Sequence, residues 1–231
     1  GQSLDAEKFK DILVNRLGCP ESKTLELVTG FEDFFKEMDF IDLRVRLQIK
    51  DPVQFKKALY ELMHSLRKSG YISSWQPKPL VRALINAFNL RNEDIFSKIE
   101  QANITMECKE KIKKMLTHCL PNSLLVYIIL SMADVEVKVG LQPGGVFLLV
   151  PMETGKEWFV DFTNGVIREI DVKKYYHRDD PYLFLKKPFL INQMDTNILW
   201  LRNITNLSDL EIVNFLYHHF QESNGYALTS I

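Results

Sequence analysis

The residues of this chain best suited to chemistry are a cysteine and an aspartate near its middle. Cys119 comes just before a long apolar stretch at 124–132, and Asp161 lies within a short apolar run at 158–162. A cysteine thiolate that attacks an acyl carbon needs an imidazole to carry the proton and a carboxylate to hold that imidazole in the right tautomer. The sequence between Cys119 and Asp161 contains no histidine. A thiol and a carboxylate are therefore in place, but the imidazole is missing from this stretch.

The elements that would position the two residues are a buried helix and a set of strands. Pro121 suits the first turn of a helix, and residues 124–132 are apolar nearly all round, which is typical of a buried central helix. Alternation of valines with polar residues at 135–139 predicts a strand. The continuous apolar run at 146–150 predicts a strand that is covered on both faces.

A tight hairpin is predicted to follow. Residues 153–155, Glu-Thr-Gly, fit a three-residue turn with glycine last, which would pair Met152 with Lys156. The returning strand is expected at 158–162, and one more strand at 166–172. The order helix, strand, hairpin thus surrounds both candidate residues.

The first 117 residues are predicted to be mostly helical. Apolar residues recur at helical spacing, and glycine or proline marks several of the boundaries. The exception is 41–49, where apolar and polar residues alternate strictly and predict a half-buried strand. The expected helices are 3–17, 20–38, 51–70, 79–88, 91–102 and 105–117.

Three phrases of the middle region carry a resemblance to a known family. Cys119 heads the predicted helix and is followed by Ser-Leu-Leu-Val-Tyr at 123–127. Residues 143–147 read Pro-Gly-Gly-Val-Phe, and residues 158–163 read Trp-Phe-Val-Asp-Phe-Thr. In this order they resemble the transglutaminase-like branch of the papain-type cysteine enzymes, especially its compact bacterial variants. That family carries its histidine in a P-G-H-V-F-like phrase, where this chain has Gly145.

The resemblance implies roles for these residues. Cys119 would be the nucleophile, since the positive end of a helix dipole favours a thiolate, and Asp161 would orient a histidine. The predicted hairpin register puts Gly145, Phe147 and Asp161 on one face and Val146 on the other. We therefore place the missing histidine at Gly145 and regard Cys119 and Asp161 as vestigial catalytic residues.

Other interpretations of the same residues stay open. Cys119 could simply be a small buried residue, and Asp161 a strand-end carboxylate bonded to the backbone. His177, in a polar loop after the strands, could replace the missing base, whereas His118 would point away from Cys119 if both were helical. A metal site at Asp179-Asp180 with His177 is the weaker interpretation, because adjacent carboxylates before a proline usually form a solvated turn. The remaining histidines are His64, His218 and His219.

Composition narrows the function classes. The chain is 46% hydrophobic and 26% charged with a formal net charge of −1, so no basic bias predicts nucleic-acid binding. The longest apolar run is too short to span a bilayer. Three cysteines without a CxxC pair argue against a disulfide framework and favour a reducing, cytoplasmic location. A cleaved signal peptide stays an alternative, because the sequence begins at Gly1.

The sequence thus predicts an α+β protein, with a helical N-terminal region at 1–117 and a transglutaminase-like core at 118–231. That core would pack one central helix on a small antiparallel sheet and end in a C-terminal amphipathic helix. We expect a degenerate, non-catalytic domain that binds a protein or peptide, with no cofactor, no metal and no nucleic acid. The alternatives are an active cysteine hydrolase or acyl transferase using Cys119, Asp161 and a histidine such as His177, and an unrelated helical interaction domain. The oligomeric state is left open.

Overall fold

The chain folds into helices and one antiparallel sheet, which confirms the predicted α+β class. The computed structural model describes residues 5–72, 74, 76–88, 90, 93–101, 106, 109–110, 113, 118–142, 145–171 and 189–191. The predicted C-terminal helix and the loop at 175–182 lie outside these residues. No helix in the described part combines the length and the hydropathy that a bilayer span requires.

The described part of the N-terminal region is helical, as predicted, and most of the helix expected at 105–117 lies outside the described residues. Its helices begin at local capping signals: the Asp5 side chain accepts the Lys8 amide, and Asp51 accepts the Gln54 amide just before a proline at the first helical position. The helices are α1 (Ala6–Lys10), which continues as a π-helical turn (Asp11–Arg16), α2 (Glu21–Glu37), α3 (Phe40–Leu47), α4 (Pro52–Lys68), α5 (Pro79–Ala87) and α6 (Glu93–Gln101).

The strand predicted at 41–49 is wrong, because this segment forms helix α3. Leu43 and Leu47, four residues apart, are buried on one side of the helix. Ile41 and Val45, also four apart, lie on the other side and are 55% and 62% exposed. Two apolar stripes on opposite sides of a helix produce the same alternation as one face of a strand. Asp39, with a left-handed backbone at φ 51°, starts the helix by accepting the Asp42 amide.

The central helix α7 (Leu120–Met132) is buried all round, as the sequence predicts. Every residue in it except Ser123 is buried. It shares one continuous hydrophobic cluster with the N-terminal helices and with one side of the sheet. Residues on both sides of the 117/118 boundary therefore contribute to the same core.

Among the described residues the sheet has five strands in the order β4-β3-β2-β1-β5, and all neighbours are antiparallel. The first strand begins three residues later than predicted, since Val135 and Val137 precede it. The bounds are β1 (Lys138–Gln142), β2 (Gly145–Pro151), β3 (Glu157–Asp161), β4 (Val166–Ile170) and β5 (Phe189–Ile191).

The two faces of the sheet belong to different clusters. The inner face, which includes Val146, Leu148 and Val160, joins the cluster that contains α7. The outer face forms a second cluster, to which no described helix contributes. That outer cluster consists of Phe147, Leu149, Phe159 and Ile170, with Val166 at its edge.

Candidate functional site

Cys119 lies just before α7 but within a helical turn. His118 and Cys119 form a π-helical turn, and the backbone of Cys119 is helical at φ −64° and ψ −44°. A residue at the true start of a helix usually has an extended backbone. Successive helical residues point about 100° apart, so the side chains of His118 and Cys119 diverge. The half-buried thiol is thus not at an open helix end of the kind that stabilises a thiolate.

The first turn of α7 contacts the other two phrases of the resemblance. Asn122 Nδ2 donates to Thr163 Oγ1 at 3.2 Å, beyond the end of β3. Ser123 Oγ donates to the Val146 carbonyl at 3.4 Å, at the start of β2. Fold topology therefore brings the beginning of α7, the start of β2 and the end of β3 to one end of the sheet.

The hairpin register agrees with the sequence prediction. The Met152 amide donates to the Lys156 carbonyl at 2.9 Å, and Gly155 supplies the left-handed residue at φ 84°. Leu148 then pairs with Val160. Continued by one step, this register puts Phe147 opposite Asp161 on the outer face.

The register also assigns the start of β2 to the two faces. Gly145 lies on the outer face with Phe147, since alternate residues of a strand share a face. Val146 is buried in the inner cluster beside α7. The strand position that faces α7 is thus Val146, and neither position carries an imidazole.

Asp161 is a buried acid whose carboxylate caps the turn after β3. Its side chain accepts hydrogen bonds from the Asn164 amide at 3.1 Å and from Asn164 Nδ2 at 2.8 Å. The residue is only 4% exposed. Burial raises the pKa of Asp161 above its ordinary 3.8, while the Asn164 and Thr163 bonds and the charge of Arg67 act in the opposite direction. Both carboxylate oxygens are engaged by Asn164, and neither is directed to an imidazole in the described part of the chain.

Arg67 of α4 fixes the same turn from the helical side. Its Nη2 donates to the Phe162 carbonyl at 2.7 Å and approaches the Thr163 carbonyl at 3.4 Å. Gly165, at φ 71°, lies so close that a Cβ there would be 3.2 Å from the guanidinium. Within the described residues, Arg67 Nε is buried and has no hydrogen-bond partner.

Sequence reasoning missed most of this polar network. Arg67, Asn122 and Thr163 come from three separate elements, and nothing in their local sequence indicates that they meet. The one available signal was the Asn164-Gly165 pair, which is typical of a tight turn between strands.

Polar contacts also hold the opposite end of α7, and there most of them come from cationic side chains. Asp134, just past the helix at φ 61°, forms ion pairs with Lys8 of α1 and Arg44 of α3. Lys8 Nζ also donates to the Met132 carbonyl at 3.2 Å. The bond from Lys8, reinforced by Arg44, lowers the pKa of Asp134 below its ordinary 3.8. In addition, Gln48 Nε2 donates to the Ala133 carbonyl at 3.2 Å.

The predicted substitutes for the missing base are only partly described. His64, on α4, stacks on Tyr60 with the ring centroids 6.4 Å apart. His177, His218 and His219 lie outside the described residues, as do Asp179 and Asp180. Within the described part, no three histidine, cysteine or acidic side chains form a group that could hold a metal.

Comparison with family models, with curated proteins and with solved structures finds no match for this chain. The transglutaminase-like resemblance therefore rests on its three sequence phrases alone.

Proposed function

We propose that this protein is a transglutaminase-like domain that has lost catalysis and serves as a binding or scaffolding module for a protein partner. The observation that carries the proposal is the position of Asp161. Its carboxylate caps its own turn through Asn164. The register assigns Asp161 to the outer face of the sheet, whereas Cys119 precedes α7, which packs on the inner face. An acid used in this way holds a loop and orients no base.

The environment of Cys119 supports the same conclusion. The helical backbone of Cys119 differs from the extended backbone that is usual at a helix start, so the thiol is not held in the geometry of an N-cap. Val146 lies on the inner face of β2 and its carbonyl accepts from Ser123 of α7, and its aliphatic side chain accepts no proton. This thiol therefore does not lie at an open helix N-terminus of the kind that activates many catalytic cysteines.

A protein partner fits the exposed side of α3 better than a nucleic acid does. Ile41 and Val45 are exposed apolar residues on one side of this helix. The neighbouring cations are already used within the chain, because Arg44 pairs with Asp134 and Arg46 pairs with Asp42. The arginines of α3 are therefore engaged by acids of the same chain and are poorly placed for phosphate contacts.

The decisive experiment measures the reactivity of Cys119 in the full chain at pH 7. Alkylation by iodoacetamide, followed by mass spectrometry of the Cys119 peptide, should be slow and should keep the same rate in the Asp161→Asn variant. Buried Cys19 gives an internal control for folding. Rapid alkylation of Cys119 together with turnover of a peptide amide, both reduced by Asp161→Asn, would overturn the proposal.

The second candidate is an active cysteine hydrolase or acyl transferase. It is favoured by the contacts of Asn122 with Thr163 and of Ser123 with Val146, since these bring all three phrases to one end of the sheet. A histidine from elsewhere, such as His177, would then supply the base. In that case Cys119→Ala and His177→Ala would abolish amide hydrolysis equally, because both act in the same step.

A further inference from the structure

The exposed apolar side chains of the described residues are concentrated on one short segment. Of the six large hydrophobic side chains that are exposed there, four lie between positions 41 and 53. Ile41, Val45 and Ile49 follow one another at intervals of four residues and are 55%, 62% and 41% exposed. This row of three residues is called the α3 ridge below. Single exposed hydrophobic residues are ordinary on a protein surface, but a contiguous row of them is typical of an interaction site.

The α3 ridge has the geometry of a helix-packing surface. The Ile49 amide donates to the Arg46 carbonyl at 3.4 Å, so Ile49 extends the last turn of α3. Residues four apart lie on one side of a helix, and two rows of this kind interdigitate when helices cross at about −50°. Leu43 and Leu47 occupy the buried side of the same helix, so the ridge points away from the core.

The charges beside the ridge are self-complementary. Asp42 and Arg46 lie on the same flank of the ridge, and Arg46 Nε donates to Asp42 Oδ2 at 2.9 Å. Arg46 Nη1 also donates to Glu61. These bonds use Nε and Nη1 of Arg46 and Oδ2 of Asp42, so Nη2 and Oδ1 can form further bonds. In an antiparallel pair of helices the same flank of each helix meets, so a two-fold axis beside Val45 brings Asp42 near Arg46 of the partner subunit.

We propose that the α3 ridge forms a two-fold interface between two copies of this chain, with α3 antiparallel to α3 of the partner subunit. This inference names the partner of the exposed side of α3 and therefore rests on the proposed binding function. Across the two-fold axis, Ile41 packs against Ile49 of the partner subunit, and Val45 packs near its own copy. A uniformly charged peptide would meet one like charge on the flank of Asp42 and Arg46, so a second copy is the better match.

The size of the ridge sets the strength of this contact. Helix α3 has eight residues and is therefore about 12 Å long. Val53, which is 71% exposed in the first turn of α4, adds apolar surface after the ridge. A stable specific interface buries about 800 Å² on each partner, and one short helix supplies only part of that area. We therefore expect a reversible dimer that forms at roughly micromolar concentrations.

Sedimentation equilibrium of the full chain over a range of concentrations tests the dimer. The weight-average mass should rise with concentration from 27.0 kDa towards twice that value. Val45→Asp should weaken dimerisation by about tenfold or more, because the two-fold axis puts the new charge into the apolar contact twice. Leu25→Asp is the matched control, since Leu25 of α2 is 77% exposed but lies outside the ridge. This control should leave dimerisation unchanged.

A pair of charge variants tests whether the same flank of both copies meets. Asp42→Arg makes the flank entirely cationic, and Arg46→Glu makes it entirely anionic. Each variant alone should be largely monomeric, because like charges then face each other across the two-fold axis. An equal mixture of the two variants should dimerise again, because a cationic flank then meets an anionic one.

A parent chain that stays monomeric, equal dimerisation of Val45→Asp and Leu25→Asp, or a mixture of charge variants that stays monomeric would each overturn the proposal. Circular dichroism shows whether the variants are folded. If Val45→Asp loses helical signal, Val45→Ser against Leu25→Ser replaces that pair; if a charge variant does, Asp42→Asn and Arg46→Gln replace the mixture and should each weaken dimerisation.

The alkylation rate of Cys119 in the same parent chain separates this inference from the proposed function. Slow alkylation in a monomeric chain overturns the dimer alone. Rapid alkylation with turnover of a peptide amide overturns the proposed loss of catalysis, whether or not the chain dimerises.

Discussion

Each end of the buried helix α7 contacts a polar network that contains an aspartate, and the two carboxylates lie in opposite environments. At the carboxyl end, Asp134 remains partly exposed, and Lys8 and Arg44 lower its pKa. At the amino end, Asp161 is buried, and the loss of hydration raises its pKa despite the nearby charge of Arg67. The carboxyl end thus pairs its acid with cations, which also suit a helix C-terminus. The amino end keeps a carboxylate out of water and uses it to hold a turn.

The two ends of α7 differ in how strongly they depend on single contacts. The contacts at the carboxyl end are charged and half-exposed, so each is expected to contribute little by itself. The contacts at the amino end are more shielded from solvent, so the loss of one leaves polar groups without partners. Variants at the amino end should therefore have the larger effects.

The largest effect is expected from Arg67→Met. The change removes the donors to the Phe162 and Thr163 carbonyls and the positive charge that acts on Asp161. We expect the free energy of unfolding to fall by about 2–3 kcal/mol, because buried hydrogen bonds to charged groups are lost. Urea unfolding measures this change, and Lys68→Met, at the exposed neighbouring position of α4, is the control. Equal urea midpoints for Arg67→Met and Lys68→Met would mean that the hydrogen bonds of Arg67 contribute no stability.

The second largest loss of stability is expected from Gly165→Ala, with Gly155→Ala as the matched control. Both glycines have a positive φ, 71° and 84°, so alanine is strained at either position by about 1–2 kcal/mol. Only at Gly165 does the new Cβ also approach the Arg67 guanidinium, at 3.2 Å, while the space at Gly155 is open. We expect Gly165→Ala to lower the thermal midpoint more than Gly155→Ala. An equal decrease would mean that Arg67 adjusts without cost.

The effect of Asp161→Asn on the free energy of unfolding should depend on pH, because burial raises the pKa of Asp161. The folded-state pKa is raised, so the folded protein binds the proton more tightly than the unfolded chain does. The stability that Asp161 contributes is therefore greatest below the ordinary value of 3.8 and is lost as the pH rises through the folded pKa. Relative to the parent protein, Asp161→Asn should be more favourable at about pH 7 than at about pH 3 in urea unfolding. A difference that does not change with pH would argue against a raised pKa.

The smallest effect is expected from Asp134→Asn, with the opposite sign. Lys8 and Arg44 lower the folded-state pKa, so the contribution of Asp134 is present above 3.8 and is lost as the pH falls through the folded pKa. Because the Asp134 side chain is 43% exposed, solvent screening limits the loss in Asp134→Asn at pH 7 to about 1 kcal/mol or less. Added salt should reduce the loss further. A loss that is larger at about pH 3 than at about pH 7 would contradict this assignment.

Local patterns in the sequence predicted several elements correctly. The continuous apolar run predicted the buried helix α7, and Glu153-Thr154-Gly155 predicted both the turn and its register. These features depend on neighbouring residues alone, so sequence spacing is enough to recognise them. The α3 segment shows the limit of that approach, because Ile41 and Val45 are apolar but exposed. Alternation cannot tell a half-buried strand from a helix with apolar residues on two sides.

The candidate site was predicted only in part. Cys119, Gly145 and Asp161 were identified as residues, and their order along the chain was informative about α7 and the hairpin. Their chemical roles, and the family they suggest, stay predictions.

Neighbouring residues are enough to encode the local structure: the buried helix, the hairpin and the capped helices of the N-terminal region. The polar contacts near the two ends of α7 depend instead on the folded chain. Lys8 and Arg44 reach Asp134 across 126 and 90 positions of sequence, and Arg67 reaches Phe162 across 95. These distant neighbours decide whether the pKa of an aspartate is lowered by nearby cations or raised by burial. No local spacing specifies them, because they meet only when the helices pack against the sheet.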